Sequence, residues 1–151
     1  MENCIFCKII KGEIDSAKIW EDEEFLAILD INPNTKGVTL VLSKTHYPAY
    51  LFDLPDEVCE KFILAAKKVA KLLEKGLKVK RIGMVLEGMG VNHSHLKLYP
   101  MYKTDEWKGE TPKEKLFFEK YEGHLTTQQG FQVLLDELKK IAKEIKEKNK
   151  D

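Results

Sequence analysis

From Asn92 to Tyr99 the chain alternates with a period of two. His93, His95 and Lys97 fall on one side of an extended segment, and Ser94, Leu96 and Leu98 on the other. Only a strand keeps such a pattern in register, so the segment commits the chain to a sheet with one polar, partly cationic face. Successive same-face imidazoles stand roughly 7 Å apart. A stripe of two histidines and a lysine is costly to bury without partners. It is therefore either a solvent-exposed face or a site. Pro100 is expected to end the strand, and the glycine-bearing turn Glu87-Gly88-Met89-Gly90 precedes it.

The remaining elements follow from apolar patterning. Ile19-Trp20 and Phe25 to Leu29 read as a hairpin across the acidic turn 21–24. Residues 32–37, Asn-Pro-Asn-Thr-Lys-Gly, are a loop by composition. Val38 to Leu42 is a continuous β-branched run, a buried strand. Pro55, Asp56 and Glu57 suit a helix start. Val58, Phe62, Ala65, Val69 and Leu72 keep helical spacing up to about Lys75, with Gly76 as the expected terminator. Ile82 to Leu86 is a fourth strand. Thr111-Pro112-Lys113-Glu114 carries the signature of a helix start, for a helix to about Tyr121. A last helix begins near Phe131, with Leu134, Leu138, Ile141 and Ile145 on one stripe. The reading is one α+β domain over residues 1–151, with a core of about 3–102 and a helical C-terminal extension of about 103–151.

Composition narrows the class. The chain has 151 residues, 43% of them hydrophobic, and 25 Lys+Arg balance 25 Asp+Glu. Zero formal charge gives little long-range pull on nucleic acid or an anionic membrane. No run approaches the roughly 18 apolar residues that span a bilayer, and the N-terminus lacks the basic-then-apolar pattern of a signal peptide. The expectation is a cytoplasmic globular protein that binds neither nucleic acid nor membrane. Three cysteines argue against a disulfide framework. Cys59 reads as a small core residue. Cys4 and Cys7 form a C-x-x-C, a spacing at which two thiolates can share an ion or pair with each other.

The segment His93-Ser94-His95-Leu96-Lys97-Leu98-Tyr99-Pro100 resembles the signature of the histidine triad (HIT) superfamily. Three further segments resemble the same family in order: 4–14 its opening segment, 25–33 its ribose-binding strand and turn, and 37–46 its third strand with a terminal Lys-x-His. The resemblance implies a meander of five antiparallel strands with a packed helix. It also implies a homodimer, and a nucleotide or dinucleotide substrate, purine in type. On the family's pattern His95 is the nucleophile that attacks an α-phosphate, forming a nucleotidyl-histidine, and the His93 carbonyl sets its tautomer. Asp30 corresponds to the acid that binds ribose hydroxyls, next to Asn32. Ile5, Phe6 and Ile31 correspond to the walls of a base slot, and Gly88 and Gly90 to a phosphate cradle. Cys4, Cys7, His46 and His93 correspond to the ligands of a structural zinc in zinc-bearing branches.

Two positions depart from the pattern. Lys97 stands where hydrolase members carry a third histidine, and it is expected to act as a catalytic cation beside the developing phosphoryl charge. Gly90 stands where a serine is frequent. The expected function is a nucleotide hydrolase or nucleotidyl transferase. The alternatives are a non-catalytic nucleotide- or protein-binding module and a zinc-stabilised interaction scaffold that binds through its C-terminal helix. Trp107 reads as an interface anchor or a packed loop residue, and His124 as a loop histidine.

Overall fold

Asp22 opens the fold by turning the first hairpin: its Oδ1 accepts the backbone N–H groups of Glu24 at 3.0 Å and Phe25 at 2.8 Å. This joins β1 (Lys18–Glu21) to β2 (Phe25–Leu29). β3 (Thr39–Ser43) continues the meander; β4 (Arg81–Val85) and β5 (His95–Met101) complete a five-stranded sheet. Every pairing is antiparallel, and β5 lies between β3 and β4 in the order β1-β2-β3-β5-β4. Two α-helices accompany the sheet, α1 (Ile5–Ile10) and α2 (Asp56–Leu77). The computed structural model describes residues 3–109, 115–123 and 126. The chain divides into two compact units, residues 1–107 and 108–151.

The sheet has two unlike faces because successive side chains point to opposite sides. Phe25, Ala27, Val41, Leu96 and Leu98 face α2 and meet Phe62, Ala65, Ala66, Val69 and Leu73. Leu26, Ile28, Leu40 and Leu42 face the other way and are covered by Phe6 of α1. β2 is thus apolar on both faces, which is why it reads as an unbroken apolar run. Register places His95 opposite Leu42 and Lys97 opposite Leu40. The histidine stripe therefore shares the α1 face, while α2 builds the main core behind it.

Several boundaries differ from the sequence expectation. α2 passes through Gly76 because Leu77 still packs on the core; Lys78, at φ 55°, ends the helix, with its N–H on the Glu74 carbonyl. Leu72 is 46% exposed, and the buried stripe runs through Ala66 and Leu73 instead. β5 begins at His95, not Asn92. The N–H of Ser94 goes to the Tyr47 carbonyl at 3.0 Å, and the Asn92 side chain accepts the Ala49 N–H at 3.1 Å. The Asn92 side chain and the Ser94 N–H are thus spent on the loop after β3, while the His93 N–H turns back to the Val91 carbonyl at 2.8 Å. Pro100 lies inside β5 rather than beyond it. There β5 has outrun β3, whose last partner is Leu98, and pairs with β4 alone, so a missing N–H breaks no ladder.

α1 was not expected, although Phe6, Ile9 and Ile10 carry the i, i+3, i+4 spacing that marks it. Residues 115–121 are not helical. Phe117 is 76% exposed, and Leu116, Phe118 and Tyr121 are exposed as well, so the segment lacks the buried face that a short helix needs. The rest of that segment (111–114), the helix from Phe131 and His124 lie outside the described residues. No described helix is long and apolar enough to cross a membrane.

Phe62 is fully buried and meets Phe25 edge-on, with ring centroids 4.8 Å apart. Phe62→Ala is expected to cost about 3–5 kcal/mol, read from a urea transition whose slope is unchanged.

Candidate active site and metal centre

The short helix α1 converts C-x-x-C into a chelating pair. Cys4 is its N-cap and Cys7 lies in its first turn, and positions three apart share a helix face. The loop after β3 brings His46 to them, and the segment before β5 brings His93. Cys4 Sγ lies 3.4 Å and Cys7 Sγ 3.5 Å from His93 Nδ1, Cys7 Sγ lies 3.3 Å from His46 Nδ1, and the two Nδ1 atoms are 3.2 Å apart. All four ligand atoms fall within 4.8 Å of one another. A tetrahedral zinc with bonds of about 2.3 Å to sulfur and 2.0 Å to nitrogen has S···N edges of about 3.5 Å and an N···N edge of about 3.3 Å. The donor set fits that ion in identity, number and spacing.

His93 is 0% exposed. Its Nε2–H donates to the Ser43 carbonyl at 2.7 Å, which leaves the Nδ1 lone pair turned toward the cysteines. Burial holds its pKa below the ordinary histidine value, against the pull of the Ser43 carbonyl, which favours the neutral ring that metal ligation requires. Burial also pushes the Cys7 thiol up, helped by the hydrogen bond and charge of Cys4. A cation among the sulfurs removes that penalty. Cys4, Cys7 and Cys59 are free thiols, and Cys59 packs beside the α2 core.

The same residue fixes its neighbour. His95 Nδ1–H donates to the His93 carbonyl at 2.7 Å, which selects the tautomer with a bare Nε2. Phe6 stands edge-on to both rings, with centroids 5.7 Å from His93 and 5.2 Å from His95. Phe6 is thus a buried spacer that sets the two imidazoles. Two residues further along β5, Lys97 Nζ lies 3.0 Å from Asp30 Oδ2. Asp30 Oδ1 accepts the Asn32 N–H at 2.9 Å.

The other expected site residues are spread around this core. Ile5 and Gly90 line a cavity of about 420 Å³ with Cys4, His46, Val91 and Asn92. Ile31 is 89% exposed. Gly88, at φ +69°, packs its α-carbon against Tyr50 and the Ala49 carbonyl, where a Cβ would sit 3.3 Å from the Tyr50 backbone. Trp107 is 69% exposed and lines a separate cavity of about 700 Å³ with Arg81, Met101 and Tyr102. Sequence reasoning missed the Ser43 carbonyl, which any residue type would supply. It also missed the pairing of Lys97 with Asp30.

Residues 11–104 match the HIT domain family. An uncharacterized HIT-like protein of Methanocaldococcus jannaschii is 42% identical over 106 residues, 68% of this chain and 81% of the relative. An adenosine 5′-monophosphoramidase of Saccharomyces cerevisiae is 42% identical over 112 residues, 70% of this chain and 66% of the relative. Among solved structures, a zinc-bound histidine triad family protein from Mycobacterium smegmatis superposes with a TM-score of 0.64 at 31% identity, covering 75% of this chain and 85% of that one.

For Asp30, burial alone raises the pKa, but the Asn32 N–H and the Lys97 ammonium outweigh it, and the net shift is downward. Folding therefore favours the ionised form. The stability this contributes is present above the unfolded aspartate value, about 3.9, and is lost as pH falls through the lower folded value. In carboxyl-carbon NMR titrations, Asp30 is expected to titrate below the usual aspartate range and to move upward in Lys97→Met.

Proposed function

Because the chain belongs to the HIT domain family, we propose that it hydrolyses a nucleotide derivative at the α-phosphate through a covalent intermediate on His95. The observation that carries this reading is the 2.7 Å bond from His95 Nδ1 to the His93 carbonyl. It places the proton on Nδ1, in the tautomer whose Nε2 lone pair is available for attack, and a neutral imidazole is a competent nucleophile near neutral pH.

In the first step Nε2 bonds to the α-phosphorus as the bond to the leaving group breaks. The leaving group departs with the electron pair and takes a proton from solvent. The ring, now carrying the nucleotide on Nε2 and a proton on Nδ1, is cationic, and the His93 carbonyl stabilises that charge. In the second step a water oxygen bonds to the phosphorus and loses a proton to solvent, the N–P bond breaks with its electron pair returning to Nε2, and a nucleoside monophosphate is released with the neutral ring restored. A different acceptor in place of water gives nucleotidyl transfer. Asp30 takes the sugar hydroxyls beside Asn32, and Lys97 is the fixed cation of the stripe. Ile5 and the exposed Ile31 supply apolar surface for the base, with Phe6 packed behind the histidines. The turn from Gly88 to Gly90 offers backbone to the phosphate. The monophosphoramidase activity named for the yeast relative supports a purine nucleotide with a small leaving group. Edge strand β4 offers unpaired backbone to a second copy, in keeping with a homodimer.

Cys4, Cys7, His46 and His93 hold a structural zinc in this reading. When bound, such an ion would tie the N-terminal helix, through Cys4 and Cys7, to the segment that orients the nucleophile, through His93. Support comes from the fit of the four donors and from the zinc-bound M. smegmatis neighbour.

Adenosine 5′-phosphoramidate labelled at phosphorus is expected to leave an acid-labile label on the wild-type chain and none on His95→Ala. The variant's kcat/KM should fall on the order of 10⁴-fold or more. Equal labelling of the two proteins would exclude His95 as the nucleophile. Elemental analysis is expected to find about one zinc per chain, retained in His95→Ala. Cys7→Ser should lose the metal and melt at a lower temperature.

A further inference from the structure

We propose that Lys97 is a positioning residue for sugar recognition: its ammonium fixes the Asp30 carboxylate in the orientation that accepts the two hydroxyls of a ribonucleotide. The inference rests on the nucleotide reading of this site and adds the residue that sets its selectivity.

Asp30 directly follows the last residue of β2, and its own N–H donates to the Val38 carbonyl at 2.8 Å, so its backbone is anchored. Its side chain is 8% exposed, against 36% for Lys97. An ionised carboxylate this far out of water needs a cation or several donors. Each oxygen has one donor: Oδ1 the Asn32 N–H at 2.9 Å, Oδ2 the Lys97 ammonium at 3.0 Å. Two contacts on different oxygens fix the plane of the group. Lys97 is itself well placed to fix it. It sits on β5 with strand partners on both sides, Leu40 on β3 and Val85 on β4.

A carboxylate offers about four acceptor sites, so two remain. With its charge already compensated by Lys97, Asp30 has little attraction for a further cation. What it can still accept is a pair of neutral O–H donors, and a vicinal diol matches two parallel acceptor sites. A 2′-deoxy sugar fills one and leaves the other without a partner, which a nearly buried acceptor tolerates poorly. The arrangement also limits what Lys97 does at the phosphate. The ammonium is held toward the sugar end of the stripe by Asp30, two residues along the strand from the nucleophile.

The test is calorimetric binding of adenosine 5′-monophosphate and its 2′-deoxy analogue to the zinc-replete full chain. The wild type should prefer the ribonucleotide by about tenfold or more. Lys97→Met should lose about that factor for the ribonucleotide and little for the deoxy analogue, so that the preference collapses. Lys97→Gln repeats the comparison if the methionine variant does not fold, and Lys97→Arg should keep the preference. Asp30→Asn should lose the preference as well, and its combination with Lys97→Met should lose no more than either alone. In turnover of adenosine 5′-phosphoramidate, Lys97→Met should raise KM far more than it lowers kcat. Retained ribose preference in both uncharged variants would overturn the proposal. So would a hundredfold loss of kcat with unchanged nucleotide affinity, which would put the ammonium on the phosphate. A wild type that binds neither nucleotide would instead defeat the nucleotide reading itself, and this proposal with it.

Discussion

One buried imidazole joins the candidate metal site to the candidate nucleophile. His93 donates Nε2–H to the Ser43 carbonyl, turns Nδ1 to Cys4, Cys7 and His46, and offers its own carbonyl to His95 Nδ1. A ring with no solvent exposure cannot leave a nitrogen unpartnered without a cost of the order of 1–3 kcal/mol. Its orientation is therefore set by β3 on one side and by the thiols on the other. The tautomer of His95 follows from where that backbone carbonyl points. In the proposed reading, the candidate metal site and the alignment of the nucleophile are thereby coupled through a single residue.

The sheet makes this possible by dividing its labour between two faces. α2 covers one face with a dry core that includes Phe62, Val69, Leu96 and Leu98. The other face carries the apolar floor of Leu26, Ile28, Leu40 and Leu42, and Phe6 lies across it. Phe6 meets both His93 and His95 edge-on, so the α1 helix that brings Cys4 and Cys7 also packs the histidines from above. β5 is flanked by β3 and β4 through Leu98, and its polar side chains are mounted on a strand that cannot shift without breaking two ladders.

The local signals in the sequence were read well where one period dominated. The alternation through His93, His95 and Lys97 placed the stripe on one face, and the apolar spacing of α2 located its buried side up to Val69, beyond which the helix buries Leu73 and not Leu72. Errors arose where local preference competed with packing. Gly76 is a good terminator, but Leu77 still had core to bury. Pro100 is a strand breaker, but only where a second neighbour needs its N–H. Residues 92–94 keep the strand alternation, but the Asn92 side chain and the Ser94 N–H bond the loop after β3 and the His93 N–H turns back to Val91. The α1 helix carried a readable signal in Phe6, Ile9 and Ile10 that the cysteine spacing overshadowed.

By itself the sequence determined the sheet, the helix behind it, the face that bears the polar stripe and the residue types available for chemistry. Periodicity and residue type are local properties, and these features need nothing more. Only the tertiary structure decided which distant groups meet. Cys4 and His93 are 89 positions apart, Cys7 and His46 are 39 apart, and Asp30 at the end of β2 reaches Lys97 of β5 across β3. The two charged residues look independent in the sequence, one suited to a sugar and the other to a phosphate. In the fold they neutralise each other, because strand register brings a nearly buried carboxylate within 3.0 Å of the Lys97 ammonium.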